Sequence, residues 1–253
     1  MALNCVANKR ILEETPFQHI FIQPAAGDSG GSLGVATYIY NVLLGNPRVY
    51  TMTNAYLGPQ FSTEEIRAFL DGKGIEYEEY DLDELLPLTA RLIADNKIIG
   101  WFQGRMEFGP RALGSRSILA NPCNPKMKDI LNDRVKHRED FRPFAPVILQ
   151  EKASEYLKLD YPMPFMVLLS DVMEDKYDVI PAVTHVDGTA RPQTVTKEEN
   201  GIYYDLVAEF EKITGVPVLI NTSFNVRGEP IVCTPEDAYN CFANTGIDVL
   251  VMD

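Results

Sequence analysis

The stretch Gly104 to Ser117, G-R-M-E-F-G-P-R-A-L-G-S-R-S, restricts the folding of this chain more than any other. It follows the apolar run Ile98-Ile99-Gly100-Trp101-Phe102 and carries three glycines, three arginines, a proline and a glutamate. A strand-to-helix connection needs one or two special backbone positions, and glycine in a regular element costs roughly 0.5–1 kcal/mol relative to alanine. The surplus of glycine predicts a loop whose main chain approaches a ligand with its N–H groups exposed. Arg105, Arg111 and Arg116 supply forks that match phosphate or carboxylate oxygens, so the loop reads as an anion cradle. The competing reading is a solvated surface turn. Charge favours the cradle: between Trp101 and Arg142 nine basic residues stand against five acidic ones, a net +4 in a chain of formal charge −13. Such a basic island suits a small anion, whereas a nucleic-acid backbone would be repelled by most of the surface.

With 253 residues the chain can form one large domain, or one domain plus a fragment. No apolar run approaches the ~20 residues of a membrane span and no charged-then-apolar leader opens the sequence, so the expectation is a cytoplasmic protein without membrane contact. Cys5, Cys123, Cys233 and Cys241 form no C-x-x-C pair and read as reduced thiols rather than a zinc site. His19, His137 and His185 are the only histidines, which leaves little for metal chemistry of the clustered-histidine type.

Taken in order, residues 1–50 read as a fragment: a helix begins near Ala2 to Asn8, His19 to Gln23 is a short strand, and Leu33 to Leu44 has helical spacing. The intervening P-A-A-G-D-S-G-G-S-L-G places Asp28 at a turn, either as a ligand to a metal or nucleotide or as a helix N-cap. Asn46 to Ser62 is a linker. Ser62-Thr63-Glu64-Glu65 resembles a capping box, with Gly72 to Gly74 closing the helix. Ile75 to Tyr80 reads as a strand and Asp83 to Asn96 as a helix whose regular part Pro87 confines to its later turns. Beyond the glycine loop, strands are expected at Ser117 to Ala120, Phe144 to Leu149, Phe165 to Leu169, Val216 to Ile220 and Asp248 to Met252. Helices are expected from Asn124, near Glu151 to Leu157, over Glu199 to Ile213, and from Thr234 to Asn244. The whole predicts an α/β domain with a twisted mixed sheet and flanking helices.

Three polar segments join the glycine loop as site candidates. One helix delivers Lys136, Arg138 and, past a bend, Arg142 in F-R-P-F-A-P. Thr184 to Arg191 places His185 and Arg191 in one turn-rich segment, where the histidine is either structural or functional. Asn221 to Pro230, N-T-S-F-N-V-R-G-E-P, follows a strand and offers Asn221, Thr222, Ser223, Asn225 and the backbone at Gly228; these groups bind oxyanions or stabilise turns locally.

Together, G-W-F-Q-G-R-M-E-F-G-P-R-A-L-G-S-R-S-I-L-A, K-H-R-E-D-F-R-P-F-A-P, T-H-V-D-G-T-A-R and N-T-S-F-N-V-R-G-E-P resemble the C-terminal domain of the NodU/CmcH/TobZ O-carbamoyltransferases over nearly all of residues 51–253. T-S-F-N-V-R-G-E-P is also similar to the T-S-x-N-x-S-G run of YrdC proteins, which implies a YrdC-like sheet. A-L-N-C-V-A-N and Q-P-A-A-G-D-S-G-G-S-L-G-V-A resemble the end of the family's larger ASKHA-type domain, which implies that residues 1–50 are its remnant. The resemblance implies that carbamoyl phosphate and ATP give carbamoyl adenylate and pyrophosphate, and that the larger domain passes the carbamoyl group to a hydroxyl of a small-molecule acceptor. Family members hold an iron-type metal there through a His-x-x-x-His pair and an aspartate that Asp28 matches. That histidine pair is absent from these residues, so the chain reads as lacking most of the transfer domain.

On this footing Lys136, Arg138 and Arg142 are expected to hold the transferring phosphates, with Arg105, Arg111, Arg116 and the backbone at Gly109 completing the cradle. Thr222, Ser223 and Asn225 are assigned to adenylate or carbamoyl oxygens, Glu107 to Mg²⁺ or a ribose hydroxyl, and His185 and Arg191 to the carbamoyl phosphate side. The alternatives are a threonylcarbamoyl-adenylate synthase using threonine and bicarbonate, or a non-catalytic module that grips RNA or a protein partner. The incomplete first domain is further expected to leave an exposed apolar face able to drive association.

Overall fold

The computed structural model describes residues 1–252. Strands β1 (Ile99–Phe102), β2 (Arg116–Ala120), β3 (Ala145–Leu149), β6 (Gln193–Val195), β7 (Val218–Ser223) and β8 (Val249–Met252) form one six-stranded sheet in the order β6-β3-β7-β2-β1-β8. The two outer pairs are parallel and the three inner pairings antiparallel. A second, two-stranded sheet joins β4 (Ser170–Asp171) to β5 (Thr189–Ala190). β1, β2 and β3 are buried along their whole length, which is why β1 and β3 read as continuous apolar runs rather than alternating ones. The fold is therefore α/β with a mixed sheet and flanking helices, as the sequence predicts.

Helices α1 (Cys5–Glu14), α2 (Gly30–Tyr38), α3 (Thr63–Lys73), α4 (Leu82–Ala94), α5 (Met127–Leu131), α6 (Ala153–Tyr156), α7 (Lys197–Thr214) and α8 (Pro235–Ala243) surround it. α4 and α7 pack on each other and together cover the sheet. α3 has the expected reciprocal capping box between Ser62 and Glu65 and ends at Gly74 in the left-handed region (φ 66°). α8 has a second box between Thr234 and Asp237 with Pro235 in the first turn. A π-helical turn, Asn132–Lys136, continues α5 and ends at His137 (φ 46°), which swings the chain so that Lys136 and Arg138 leave on different headings.

Four expectations are corrected. His19 to Gln23 and Ile75 to Tyr80 run without ladder partners, since neither segment joins either sheet and an apolar pattern alone supplies no backbone pairing. Phe165 to Leu169 is buried coil, broken by Met166 in the left-handed region (φ 54°). α4 runs through Pro87 from Leu82, since its apolar face buries Leu86, Ala90 and Ile93 and that packing outweighs one missing N–H.

Residues 1–22 dock onto the body at 161–171. Nδ2 of Asn8 donates to the Val167 carbonyl (2.8 Å), Nζ of Lys9 pairs with Asp171 (2.7 Å), and the Tyr161 hydroxyl bonds both the N–H and the carbonyl of Ile20. The following segment is different. Neither α2 nor the π-helical turn Ile39–Leu43 buries any residue, and Val42, Leu43, Leu44, Val49 and Tyr50 are all more than half exposed. Exposed apolar side chains gathered in one segment in this way favour association. Sedimentation is expected to show concentration-dependent self-association of the chain, and Leu43→Glu with Leu44→Glu to suppress it while each shifts stability by no more than about 0.5 kcal/mol.

Candidate functional site

The glycine loop between β1 and β2 folds around its own carboxylate. Oε1 of Glu107 accepts from the backbone N–H groups of Leu113 (2.6 Å), Ser115 (2.8 Å) and Arg116 (3.4 Å), and the residue is only 5% exposed. The N–H groups expected to face a ligand are thus held by an internal anion. Burial pushes the Glu107 pKa up, and the backbone donors oppose that shift. Oε2 is shut in without a partner, so Glu107 offers no oxygen to a Mg²⁺ or a ribose.

Around this clasp the loop is pinned on several sides. The Leu113 carbonyl accepts from the Tyr56 hydroxyl (2.9 Å) and from Nε2 of Gln193 (2.8 Å), and the Gly114 carbonyl accepts from the Trp101 indole (2.8 Å). Gly114 has φ 114°, and a Cβ there would lie 2.2 Å from the Tyr203 ring on α7. Gly109, at φ 143°, lets the loop lie against the Pro24 carbonyl, where a Cβ would come within 3.1 Å.

The arginines of the loop part company. Arg105 is exposed and donates to the Gly58 carbonyl (3.1 Å). Arg116 is fully buried over the Phe102 ring, 3.6 Å from its centroid, with Nη1 donating to the carbonyls of Gln103, Gly104 and Ser115. Its Nε and Nη2 have no partner, and burial pushes its pKa down to about 10. Arg111 is half-buried with an unpartnered Nε, and desolvation lowers its pKa.

Arg111 belongs instead to a second grouping. Desolvation and then the Arg111 charge push Arg191 down to about 10, with Arg138 adding to the repulsion. Arg138 in turn bears on Lys136, which burial first and that charge second push down to about 7. His185, whose Nδ1 meets the Thr189 hydroxyl at 3.0 Å, is lowered mainly by burial, with Asp187 opposing and Arg191 adding a smaller downward push. The Cys5 thiol at the start of α1 lies in the field of both Arg111 and Arg191. Four cations from three distant segments therefore share one region. Among the described residues no carboxylate forms a salt bridge with Arg111, Arg138, Arg191 or Lys136.

Lys136 joins this cluster to the end of β7. Its Nζ, 4% exposed as a residue, donates to the Ser223 carbonyl, to the Asn225 carbonyl (2.9 Å) and to Asn225 Oδ1 (3.0 Å), while the Ser223 hydroxyl donates to the same Oδ1 (2.6 Å). The register pairs Trp101 with Ser117 and Ser117 with Ser223, so these share one face, and Thr222 opposite Ile118 occupies the other. Asn221 is buried and donates to the Ala112 carbonyl and to Gln193. Gly228 (φ 85°) lies at an exposed tip. Arg142 is also exposed and pairs with Glu139 at 3.1 Å. Asp28 is exposed, and among the described residues no three His, Cys, Asp or Glu side chains lie together as a metal site, so the residues present do not fit an iron-type ion.

A cavity of about 730 Å³ adjoins the loop through Leu113 and Gln193, walled mainly by apolar groups such as Ile22, Met163 and Phe165. None of its lining residues is Lys or Arg, so it is not the guanidinium-lined nucleotide pocket that the sequence leads one to expect. Sequence reasoning also missed Tyr56, Tyr203, Gln193 and Asn132. For the last there was a signal: an asparagine amid the apolar stripe Met127, Leu131, Val135, four residues before Lys136.

The carbamoyltransferase C-terminus family model matches residues 90–253, and the carbamoyltransferase N-terminus model matches residues 1–37. Protein sll1178 of Synechocystis sp. is 47% identical over 279 residues, covering 100% of this chain and 45% of that protein. Nodulation protein NolNO of Sinorhizobium fredii is 44% identical over 258 residues, covering 100% of this chain and 38% of its own length. The chain thus spans less than half the length of these relatives. A crystal structure of full-length HypF in its phosphate- and nucleotide-bound form superposes with a TM-score of 0.49 at 20% identity, covering 66% of this chain and 24% of that one.

Two outcomes follow from this geometry. Gly114→Ala meets both a strained φ and the Tyr203 ring, and is expected to cost about 2–4 kcal/mol, read from urea denaturation. Lys136, lowered to about 7, is mostly neutral at pH 8 in the free protein. An anion beside Arg138 relieves the repulsion and raises the lysine pKa, so binding at pH 8 takes up a proton, a fraction approaching ~1. At pH 6, where the lysine is already charged, uptake disappears; calorimetry in buffers of different ionisation heat reads the difference.

Proposed function

The chain belongs to the carbamoyltransferase family, and we propose on that premise that its C-terminal part forms carbamoyl adenylate from carbamoyl phosphate and ATP. In the proposed reaction water cleaves carbamoyl phosphate to carbamate and inorganic phosphate. A carbamate oxygen then bonds to the α-phosphorus of ATP as the bond from that phosphorus to the pyrophosphate oxygen breaks. In the whole protein a hydroxyl of a small-molecule acceptor takes the carbamoyl group and AMP leaves.

The observation that carries this reading is the group Lys136, Arg138, Arg191 and Arg111, half-buried or buried and without a salt-bridged carboxylate among the described residues. Desolvated cations that repel one another carry an electrostatic cost that a bound anion offsets, and a triphosphate with a carbamoyl phosphate supplies several negative charges at once. Their role is to bind and orient the reacting phosphates and to offset charge that builds up on the departing pyrophosphate. Ser223 and Asn225, held in place by Lys136, supply neutral polar groups beside those charges. His185, its pKa lowered mainly by burial, fits the same region. Glu107 and Asp28 do not fit as ligands to Mg²⁺ and iron respectively, and the reading uses neither ion.

Exchange of labelled pyrophosphate into ATP, dependent on carbamoyl phosphate, tests the proposal. Truncating one desolvated partner of a charge pair costs about 2–5 kcal/mol, so Arg191→Ala is expected to lower exchange at least ~30-fold. Arg142→Ala, at the surface, should change it less than about threefold. Exchange that requires threonine and bicarbonate instead of carbamoyl phosphate would replace this chemistry by threonylcarbamoyl adenylate formation, and no exchange with either would refute an adenylating role.

A further inference from the structure

Asn132 opens the π-helical turn at the end of α5, is 0% exposed, and directs its carboxamide and its carbonyl to the loop that follows, while its N–H closes α5 on the Lys128 and Asp129 carbonyls. Its Oδ1 accepts from Nε of Arg138 (2.7 Å), its Nδ2 donates to the Arg142 carbonyl (3.3 Å), and its own carbonyl accepts from the N–H groups of His137 and Arg138. Arg138 is further held by an Nη2 donation to the Pro143 carbonyl (3.2 Å) and by the Phe144 ring, 4.6 Å below the guanidinium. A guanidinium is planar and rigid, so fixing Nε, Nη2 and one face fixes the direction of the remaining edge. That edge, Nη1, makes no hydrogen bond within the described residues and carries the free donors.

We propose that Asn132 is a positioning residue that aims the free edge of Arg138 at a bound phosphate-type anion; the proposal rests on the anion-binding reading of the cationic cluster. The residue type fits this role. A carboxylate at 132 would hold Arg138 equally well but would neutralise it, and an apolar residue would leave Nε buried and unpaired. A carboxamide oxygen orients the cation and leaves its charge available to the ligand. Asn132 acts through Arg138 and touches no reacting atom.

The test is a double-mutant cycle on the full chain, with carbamoyl phosphate as probe and its Kd measured by titration calorimetry. Asn132→Leu is expected to weaken binding about tenfold or more, because small misplacements of a clamp are costly. In an Arg138→Ala background the same change should alter Kd by less than about twofold. If Asn132→Leu weakens binding equally in both backgrounds, or not at all when Arg138→Ala does, Asn132 has only a structural role and the proposal fails while the anion-binding reading stands. If Arg138→Ala itself leaves Kd unchanged, the cluster reading fails. Should Asn132→Leu not fold, Phe144→Leu keeps an apolar group under Arg138 but removes the ring face. It is expected to weaken binding several-fold in the wild-type background and not in Arg138→Ala; equal weakening in both backgrounds would overturn the proposal.

Discussion

The clasp of Glu107 on the backbone N–H groups of Leu113, Ser115 and Arg116 is the interaction on which the rest of the site depends. A buried carboxylate without a bonded cation is costly, and it persists because three main-chain donors converge on one oxygen. Those donors come from residues that must follow one another around a tight bend. Closing the bend requires the positive φ of Gly114 and the absence of a side chain beneath Tyr203. The glycine, the glutamate and the aromatic ring on α7 are therefore one structural statement written in three places.

The clasp also divides labour among the loop's arginines. Arg116, which carries the last clasped N–H, starts β2 and is drawn inward onto Phe102, while Arg111 lies outside the bend and joins Arg191 and Arg138. Three guanidiniums and Lys136, gathered without salt-bridged carboxylates among the described residues, destabilise the free protein by mutual repulsion, lightly where solvent screens them and more where it does not. An anion that binds this group returns that cost as affinity and as added stability of the folded state.

Much of the fold was legible because local rules and packing agree there: the capping box at Ser62, the helix start at Thr234, the stop at Gly74 and the buried runs of β1 and β3 each follow from a few neighbouring residues. His19 to Gln23 and Ile75 to Tyr80 misled because β pattern is only permission to pair, and the partner is set by the topology of distant strands. At the site, the meeting of Lys136 with Ser223 and Asn225 joins two segments that were singled out separately. The period of two along β7 already forbids Thr222 and Ser223 from facing one ligand side by side. What composition does not carry is direction: Arg105, Arg116 and Arg142 belong to the same basic island, yet one turns to Gly58, one to the core and one to Glu139.

Direction matters more here than in an ordinary binding loop, because like charges left to themselves move apart. Holding Arg111 near Arg191 against that tendency demands a stiff support, and the Leu113 peptide provides it two residues away. Its N–H is fixed by Glu107, and its carbonyl by Tyr56 and Gln193 together. Tyr56 is fixed in turn by Asn200, next to the kink at Gly201 in α7, and Gln193 by Asn221 on β7. The apolar cavity is lined by this same Leu113 together with Tyr56 and Gln193. The Leu113 peptide groups beside the cation cluster are thus satisfied on both ends by internal partners, and that stiffness lets the guanidiniums be placed before a ligand arrives rather than gathered by it.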